Sequence, residues 1–303
     1  MIAQADLTLS CGDMFAALSL QGGGIVALKR GDQALMVPAP TAPFLGSFTM
    51  APFCSRITAG RFDYRGKSVQ LAPNFPPEPH AIHGFGWQSR WQIGHLEQNA
   101  CTLVYEHDSG AAATTGWPWT FTVEQHFALS ETELSHSVRV ENISEETMPV
   151  GAGFHPYFPL TPSCDISMLC RDELVLDADG LPITASGAPN NPADNNASHT
   201  NPLASRPWLQ RGLDQVYVWR QGSAQIFWPD EPWSLAIEPD PSLPHWVVYA
   251  PGKAGFICIE PISHIPNAVN IFGPGAEGWG RLVDLAPGGH WAASTQFITY
   301  ASS

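Results

Sequence analysis

The chain has 303 residues, with 28 acidic and only 14 basic side chains, which gives a formal net charge of −14. So few basic residues argue against binding to a phosphate backbone, and we expect no nucleic acid partner. The length exceeds that of an average domain, but all-β domains often reach such sizes, so we expect one domain over residues 1–303.

The first residues and the cysteines indicate in which cellular compartment the protein is expected. Residues 1–6 lack the cationic start and unbroken apolar run of a signal peptide, and no later apolar run reaches about 18 residues. The six cysteines include no Cys-x-x-Cys pair, and a chain of this length does not need disulfides, so reduced thiols are expected. Together these features predict a cytoplasmic protein with no membrane partner.

In chain order, the first segment with candidate chemistry is Pro-His-Ala-Ile-His-Gly-Phe-Gly-Trp at 79–87. His80 and His83 have a spacing seen in metal sites, but no third ligand lies nearby and no helical pattern aligns the pair, so we expect no metal there. Taken alone, His83 is better explained as a hydrogen-bonded loop histidine than as a site residue.

Further along, the apolar residues recur with a period of two, which is the pattern of half-buried strands. No apolar spacing of three and four is sustained, and 27 glycines and 28 prolines interrupt the runs. The chain is therefore predicted to be an all-β antiparallel sandwich without long helices. The clearest strand segments are 121–129, 134–140, 216–219 and 225–228.

His155 lies between the second and third of these strand segments, within Phe-His-Pro-Tyr-Phe at 154–158. The proline after it favours an extended backbone, and by itself the histidine fits the core and a functional site equally well. The next segment, 185–207, is rich in Asn, Pro, Ser and Ala. Because strand patterns continue on both sides of it, a surface loop is favoured over a domain linker.

Glu260 ends an apolar run, Phe-Ile-Cys-Ile at 256–259, and precedes Pro261. Glutamates are rarely buried without a partner, so this position favours a functional carboxylate. With His83 and His155 it completes a set suited to sugar-ring chemistry. A hemiacetal ring opens when one group takes the anomeric O–H proton while another protonates the ring oxygen, and a carboxylate and an imidazole are sufficient for this.

Aromatic faces can stack on the C–H faces of sugars, although most tryptophans pack in cores. We expect only one or two of the four tryptophans near these motifs to contact a ligand. The four are Trp87, Trp91, Trp219 and Trp246.

The motifs, taken in order, resemble those of a known family. Arg56 within Phe-Cys-Ser-Arg-Ile, then Gly-Arg-Phe at 60–62, Asn74, His83-Gly84, His155-Pro156-Tyr157, Glu260-Pro261 and Pro-Asn-Ala-Val-Asn at 266–270 are similar to the aldose 1-epimerases, the galactose mutarotases. The resemblance covers nearly the whole chain. It implies a galactose mutarotase-like β-supersandwich of antiparallel sheets, with a sugar cleft and no cofactor.

The same resemblance implies roles for five residues. Glu260 would be the base that takes the anomeric proton, and His155 the acid that protonates the ring oxygen. The remaining three, His83, Arg56 and Asp214, would hold sugar oxygens. The implied function is interconversion of the α and β anomers of an aldose. The expected partner is a small neutral sugar, and the protein is expected to be a monomer or a homodimer.

Departures from the family pattern leave the substrate open. They are Ser55 for Asn, Phe85 for the second Gly after the histidine, Pro159 for Asn and Gly289 for Glu. Arg56, Arg61 and Arg65 could instead serve a hexose 6-phosphate, although strand alternation would place Arg61 and Arg65 together on one solvated face. A non-catalytic sugar-binding module of the same fold is the other alternative, since fold does not settle function.

Overall fold

The computed structural model describes residues 5–38, 46–110, 116–183, 199–204, 212–275 and 279–302. Regular structure in these ranges is almost entirely strand, and the named strands pair antiparallel, which confirms the predicted architecture. The helical segments are short: 3-10 turns at Thr58–Gly60 and Gly86–Gln88, and α1 at Ala268–Ile271. Among the residues described, no helix has the length and apolarity needed to cross a membrane.

The strands, in chain order, are β1 (Leu7–Cys11), β2 (Met14–Leu18), β3 (Ile25–Arg30), β4 (Gln33–Ala34), β5 (Thr49–Met50), β6 (Arg56–Ile57), β7 (Arg61–Tyr64), β8 (Lys67–Gln70), β9 (Ala81–Ile82), β10 (Gln92–Leu96), β11 (Ala100–His107), β12 (Phe121–Leu129), β13 (Glu133–Asn142), β14 (Met148–Val150), β15 (Gly153–Phe154), β16 (Tyr157–Pro159), β17 (Asp165–Glu173), β18 (Leu213–Phe227), β19 (Trp233–Pro239), β20 (His245–Ala250), β21 (Phe256–Ile262), β22 (Val283–Leu285) and β23 (His290–Ala301).

One large sheet dominates the fold. Its strand order is β10-β11-β12-β13-β23-β19-β18-β20-β21-β15-β5, with β16 also paired to β21 and β17 to β18. The first four strands form a second sheet, and three strand pairs, β6 with β9, β7 with β8 and β14 with β22, complete the structure. Strand β23 lies between β13 and β19, so it joins the two halves of the large sheet.

Strands β12 and β13 confirm the period-two prediction most directly. Along both strands, buried residues alternate with more exposed ones, and the buried faces consist mainly of Phe, Val and Leu. Alternation arises because successive side chains of a strand point to opposite faces. The inward positions of these two strands are Phe121, Val123, Gln125, Phe127, Leu129, Leu134, His136, Val138, Val140 and Asn142.

Of the three polar residues at these inward positions, Gln125 and His136 form a buried network with Thr49. The Gln125 carbonyl accepts hydrogen bonds from Thr49 Oγ1 at 2.6 Å and from His136 Nε2 at 2.8 Å. Its amide donates to the backbone oxygen of Gly23 at 2.8 Å, in the turn between β2 and β3. Burial lowers the pKa of His136 to about 3, so the imidazole is neutral and donates from Nε2. The network ties β5, β12 and β13 to the sheet formed by β1 to β4.

The two predicted segments 216–219 and 225–228 belong, except for Trp228, to one strand, β18, of 15 residues. Positive φ angles at Trp219 (58°) and Gly222 (67°) bend the backbone without ending it. The first part of β18 pairs with β20 and the last part with β19. Sequence reasoning divided the strand because the polar Arg-Gln-Gly-Ser at the bend resembles a turn.

The predicted shared face of Arg61 and Arg65 is wrong. Strand β7 ends at Tyr64, and Arg65 with Gly66 makes a two-residue hairpin turn with φ angles of 46° and 82°. Such turns need positive φ at both positions, which takes Arg65 off the strand. Its guanidinium binds Asp284 at 2.8 Å.

The predicted loop at 185–207 lies mostly outside the described residues. Of its residues, 185–198 and 205–207 are not described, whereas Thr200 forms an isolated antiparallel bridge with Cys170 on β17.

Candidate active site

A cleft of about 720 Å³ brings together all five residues singled out from the sequence. Strands β6, β18 and β21, the β15–β16 junction and the loop after β9 each contribute one of them. The walls are largely aromatic, aliphatic and proline side chains, with polar groups among them. The lining residues are Val37, Phe48, Ser55, Arg56, Phe75, Pro77, Glu78, Pro79, Ile82, His83, Trp87, His155, Tyr157, Asp214, Val247, Tyr249, Phe256 and Glu260.

Glu260 is placed by β21 in the large sheet. Its register partner on β20 is Val247, and strand alternation gives it the same face as Cys258 and Phe256. The side chain is only 2% exposed, although it lines the cleft. Burial, with a further contribution from the charge of Asp214, raises the pKa of Glu260 well above its usual range.

His155 lies between the short strands β15 and β16, where its backbone N–H donates to the Phe48 carbonyl at 2.9 Å. Its imidazole packs against the rings of both Phe48 and Tyr157, with ring centroids 4.6 and 4.9 Å away and interplanar angles of 22° and 24°. These two aromatic contacts restrain the orientation of the imidazole, and its Nε2 lies 3.2 Å from Oε1 of Glu260. Burial lowers the pKa of His155 to about 3.

The two opposite pKa shifts make the pair of Glu260 and His155 neutral. The 3.2 Å contact then suits a carboxylic acid O–H donating to an imidazole nitrogen. Moving that proton across the contact gives a carboxylate and an imidazolium with the same total charge. The pair therefore stores one transferable proton, and either partner can hold it.

His83 is held in a strained turn beside this pair. Its φ is 59°, and its backbone N–H donates to the Ser55 carbonyl at 3.0 Å. The next residue, Gly84, has φ 68° and passes so close to Ala51 that an added Cβ would lie 1.9 Å from its carbonyl oxygen. Only glycine fits there. Asn74 closes the turn by accepting from the Ile82 N–H at 2.8 Å and donating to the Ile82 carbonyl at 2.7 Å.

The imidazole of His83 meets that of His155 edge to face, with centroids 5.3 Å apart. Burial, then the nearby His155 and Arg56, lower the pKa of His83 well below its usual value. Its Nδ1 is buried with no hydrogen-bond partner in the described ranges, so Nε2 is the ring nitrogen that a ligand could reach. Both histidines of the cleft are therefore neutral.

Arg56 lies on β6, opposite Ile82 of β9, and its guanidinium is held by two carboxylates. Nε donates to Glu78 at 3.2 Å and Nη2 donates to Asp214 at 3.1 Å. Burial acts to lower the pKa of Arg56, but the two carboxylates outweigh it and raise the pKa. Asp214 comes from β18, where it lies opposite Tyr249 of β20.

Sequence reasoning missed Glu78, although a carboxylate between Pro77 and Pro79 was a usable signal. It also missed Phe48, whose stacking role depends on β5 and β15 being neighbours in the sheet. Of the four tryptophans considered, Trp87 lines the cleft. Trp91 and Trp246 are buried, and Trp219 packs against His245 and Trp279.

Within the described ranges, one group of residues has donor atoms close enough to hold a cation: those of His155, Cys258 and Glu260 all lie within 4.8 Å of one another. Burial, together with the charges of Glu260 and Asp214, raises the pKa of the Cys258 thiol well above its usual value, so it holds its proton. A cation there would displace protons from the same groups that can exchange them. His80 is not part of this group, and its Nδ1 accepts a hydrogen bond from the Ala59 N–H at 3.1 Å.

Comparison with known proteins places this arrangement in a family. The family model of aldose 1-epimerase matches residues 6–297. The chain is 31% identical over 292 residues to the uncharacterized protein YphB of Escherichia coli (strain K12), covering 93% of this chain and 94% of that protein. Each of these matches spans nearly the whole chain.

Solved structures agree with this assignment. A candidate aldose 1-epimerase from Escherichia coli K12 superposes with a TM-score of 0.81 at 26% identity, covering 97% of this chain and 98% of that one. A galactose mutarotase-like protein from Clostridium acetobutylicum has the same fold, with a TM-score of 0.80 at 17% identity over 97% and 94% of the two chains. The protein therefore belongs to the aldose 1-epimerase family and has the galactose mutarotase-like fold.

Proposed function

We propose that this protein interconverts the α and β anomers of an aldose by acid–base opening and reclosure of the sugar ring. The observation that carries the proposal is the buried contact of 3.2 Å between His155 Nε2 and Glu260 Oε1 in the cleft. The two oxygens that exchange protons in this reaction are bonded to the same carbon, so they are close neighbours. Two proton-transfer groups in contact match that spacing.

The proton inventory of the pair balances the reaction. With Glu260 as carboxylate and His155 as imidazolium, the carboxylate takes the O1–H proton while the imidazolium protonates the ring oxygen and the C1–O5 bond breaks. The pair is then a carboxylic acid and a neutral imidazole, the form that burial favours. Rotation about C1–C2 presents the other carbonyl face, and the reverse transfers close the ring to the opposite anomer.

The other cleft residues suit a sugar with several hydroxyl groups. Arg56 and His83 offer N–H groups or a ring nitrogen, and the Asp214 carboxylate can accept hydrogen bonds from sugar hydroxyls. Aromatic walls, including Trp87, offer flat surfaces for the C–H faces of a sugar ring. The reaction already proceeds in water, so a rate acceleration of about 10²–10⁴-fold from general acid–base catalysis, together with positioning of the sugar, is sufficient.

The alternatives have less support. Arg65 is engaged by Asp284, and neither it nor Arg61 lines the cleft, so the arginine cluster suggested for a hexose 6-phosphate is not assembled there. A binding module has no need for an acid and a base in contact. A glycosidase would normally place two carboxyl groups about 5 Å or more apart around the scissile bond, and Asp214 is instead paired with Arg56.

Anomeric exchange NMR on a panel of aldoses tests the proposal. Pure α-anomers are mixed with catalytic amounts of protein, and the rate of β-anomer formation is compared with that in buffer. We expect acceleration of at least one neutral aldose, saturable with sugar concentration. A panel of hexoses and pentoses equilibrating at the buffer rate would contradict it.

A further inference from the structure

Glu78 is a charged cleft residue that the proton transfers above do not use. Its Oε2 accepts from Arg56 Nε at 3.2 Å, and its Oε1 accepts from the backbone N–H of His80 at 3.4 Å. The side chain is 19% exposed and lies between Pro77 and Pro79, whose rings fix the local backbone. The carboxylate is therefore held in place from both oxygens.

The charge count of the cleft depends on this residue. Arg56 carries one positive charge, and its pairing with Asp214 alone would leave the two neutral overall. Glu78 adds a second carboxylate to the same guanidinium, while His83 and His155 are neutral because burial lowers the pKa of each. A ligand thus meets a guanidinium whose positive charge is already compensated by two carboxylates, in a cleft with a negative excess.

We propose that Glu78 is a specificity-determining residue that excludes sugars bearing an anionic group, such as a phosphate or a carboxylate, from the cleft. An anion would have to displace a carboxylate from Arg56 or remain beside an uncompensated negative charge, and like charges at close range disfavour binding. Neutral hydroxyls need only hydrogen bonds, which the paired guanidinium and the carboxylates can still make. The inference rests on the proposed sugar site.

Binding of unreactive analogues tests it without relying on turnover. The 1,5-anhydro derivatives of glucitol and galactitol lack the anomeric hydroxyl, and each can be compared with its own 6-phosphate by calorimetry. We expect wild-type protein to bind the phosphorylated form at least about tenfold more weakly, and Glu78→Gln to narrow that ratio by about tenfold. Glu78→Asp should keep the wild-type ratio, because it retains the charge.

The matched control is Glu97→Gln, which removes the same charge from an exposed position beside His95 and should leave the ratio unchanged. The salt dependence of binding to the wild-type protein shows, without any variant, whether the cleft repels or attracts anions. Added salt should strengthen binding of the 6-phosphate relative to its neutral parent if the cleft repels anions, and weaken it if the cleft attracts them.

The outcomes separate the two proposals. Equal or tighter binding of the 6-phosphates by wild-type protein overturns the role of Glu78 and leaves the sugar site standing, as does an unchanged ratio in a folded Glu78→Gln variant. If neither neutral analogue binds, the sugar site itself fails, and the inference about Glu78 fails with it.

Discussion

Oε1 of Glu260 and Nε2 of His155 lie 3.2 Å apart, and burial moves the pKa values of the two groups in opposite directions, both toward the uncharged form. This makes the pair a reservoir of one proton, which burial favours on Glu260 as a carboxylic acid beside a neutral His155. Removing either titratable group should therefore stop proton exchange without emptying the space that it fills.

We expect Glu260→Gln and His155→Asn each to lower turnover of the preferred aldose by about 10²–10⁴-fold. Each substitution keeps the approximate shape of the side chain, so the thermal unfolding midpoint and the near-ultraviolet spectrum should change little. Anomeric exchange NMR provides the rates, with Glu97→Gln as the control for loss of a surface carboxylate. A wild-type rate in either cleft variant would show that its residue is not the acid or base.

The double variant Arg61→Ala and Arg65→Ala should leave turnover of neutral sugars within about twofold of wild type. Arg65 forms only a half-exposed pair with Asp284, and exposed pairs contribute little. Rates are measured for an aldose and its 6-phosphate. A wild-type preference for the 6-phosphate that vanishes in the double variant would establish the phosphosugar function instead.

Metal removal should have no effect on the rate, because the proposed reaction uses only protons held by Glu260 and His155. Protein dialysed against a chelator should turn over sugar as fast as untreated protein. Added zinc is expected to inhibit, since it would compete with those protons for His155, Cys258 and Glu260. Activity lost to the chelator and restored by zinc would contradict the metal-free mechanism.

Gly84→Ala should destabilise the protein by more than about 3 kcal/mol, because the new Cβ would lie 1.9 Å from the Ala51 carbonyl oxygen at φ 68°. Gly66→Ala is the matched control: its φ is 82°, but a Cβ there has open space. It should cost only about 1–2 kcal/mol of backbone strain. Urea unfolding measures the free energy of unfolding of both variants. Similar decreases in the two would contradict the prediction, because they would mean that the backbone at Gly84 shifts to make room for the Cβ.

Stability should fall as the pH drops below about 6.5, because the unfolded chain takes up protons that buried His136 does not. Burial holds the folded pKa of His136 near 3, so its contribution is fully present above the unfolded pKa and is lost on acidification. His136→Gln keeps a donor for Gln125 without titrating. Its free energy of unfolding should depend on pH less steeply than that of wild type, by on the order of 1 kcal/mol per pH unit. Parallel curves for the two proteins would contradict this.

The sequence was enough to predict the antiparallel strands and the polar residues of the cleft. Period-two runs such as 121–129 follow directly from side-chain alternation, and Glu260 was visible as a carboxylate inside an apolar run. The bend in β18 was not predictable, because it depends on a positive φ at Trp219, and tryptophan rarely adopts such a conformation.

Pairings between distant elements were also beyond reach. The ion pair of Glu78 with Arg56 depends on β6 lying beside β9, and the stacking of Phe48 on His155 depends on β5 lying beside β15. Strands of two residues carry too little pattern to reveal such neighbours. Arg65 was misplaced because a basic residue with positive φ is an exception to the usual turn chemistry.

The position of β23 has a consequence for how the molecule acquires its structure. This strand pairs with β13 on one side and β19 on the other, so backbone pairing between the two halves of the large sheet runs through it. During synthesis, strands β10 to β13 are made long before β23, so the edge of β13 that pairs with β23 stays unpaired until the end of the chain is synthesised. Assembly of the central sheet is therefore expected to be a late and slow step, because it closes loops of great length.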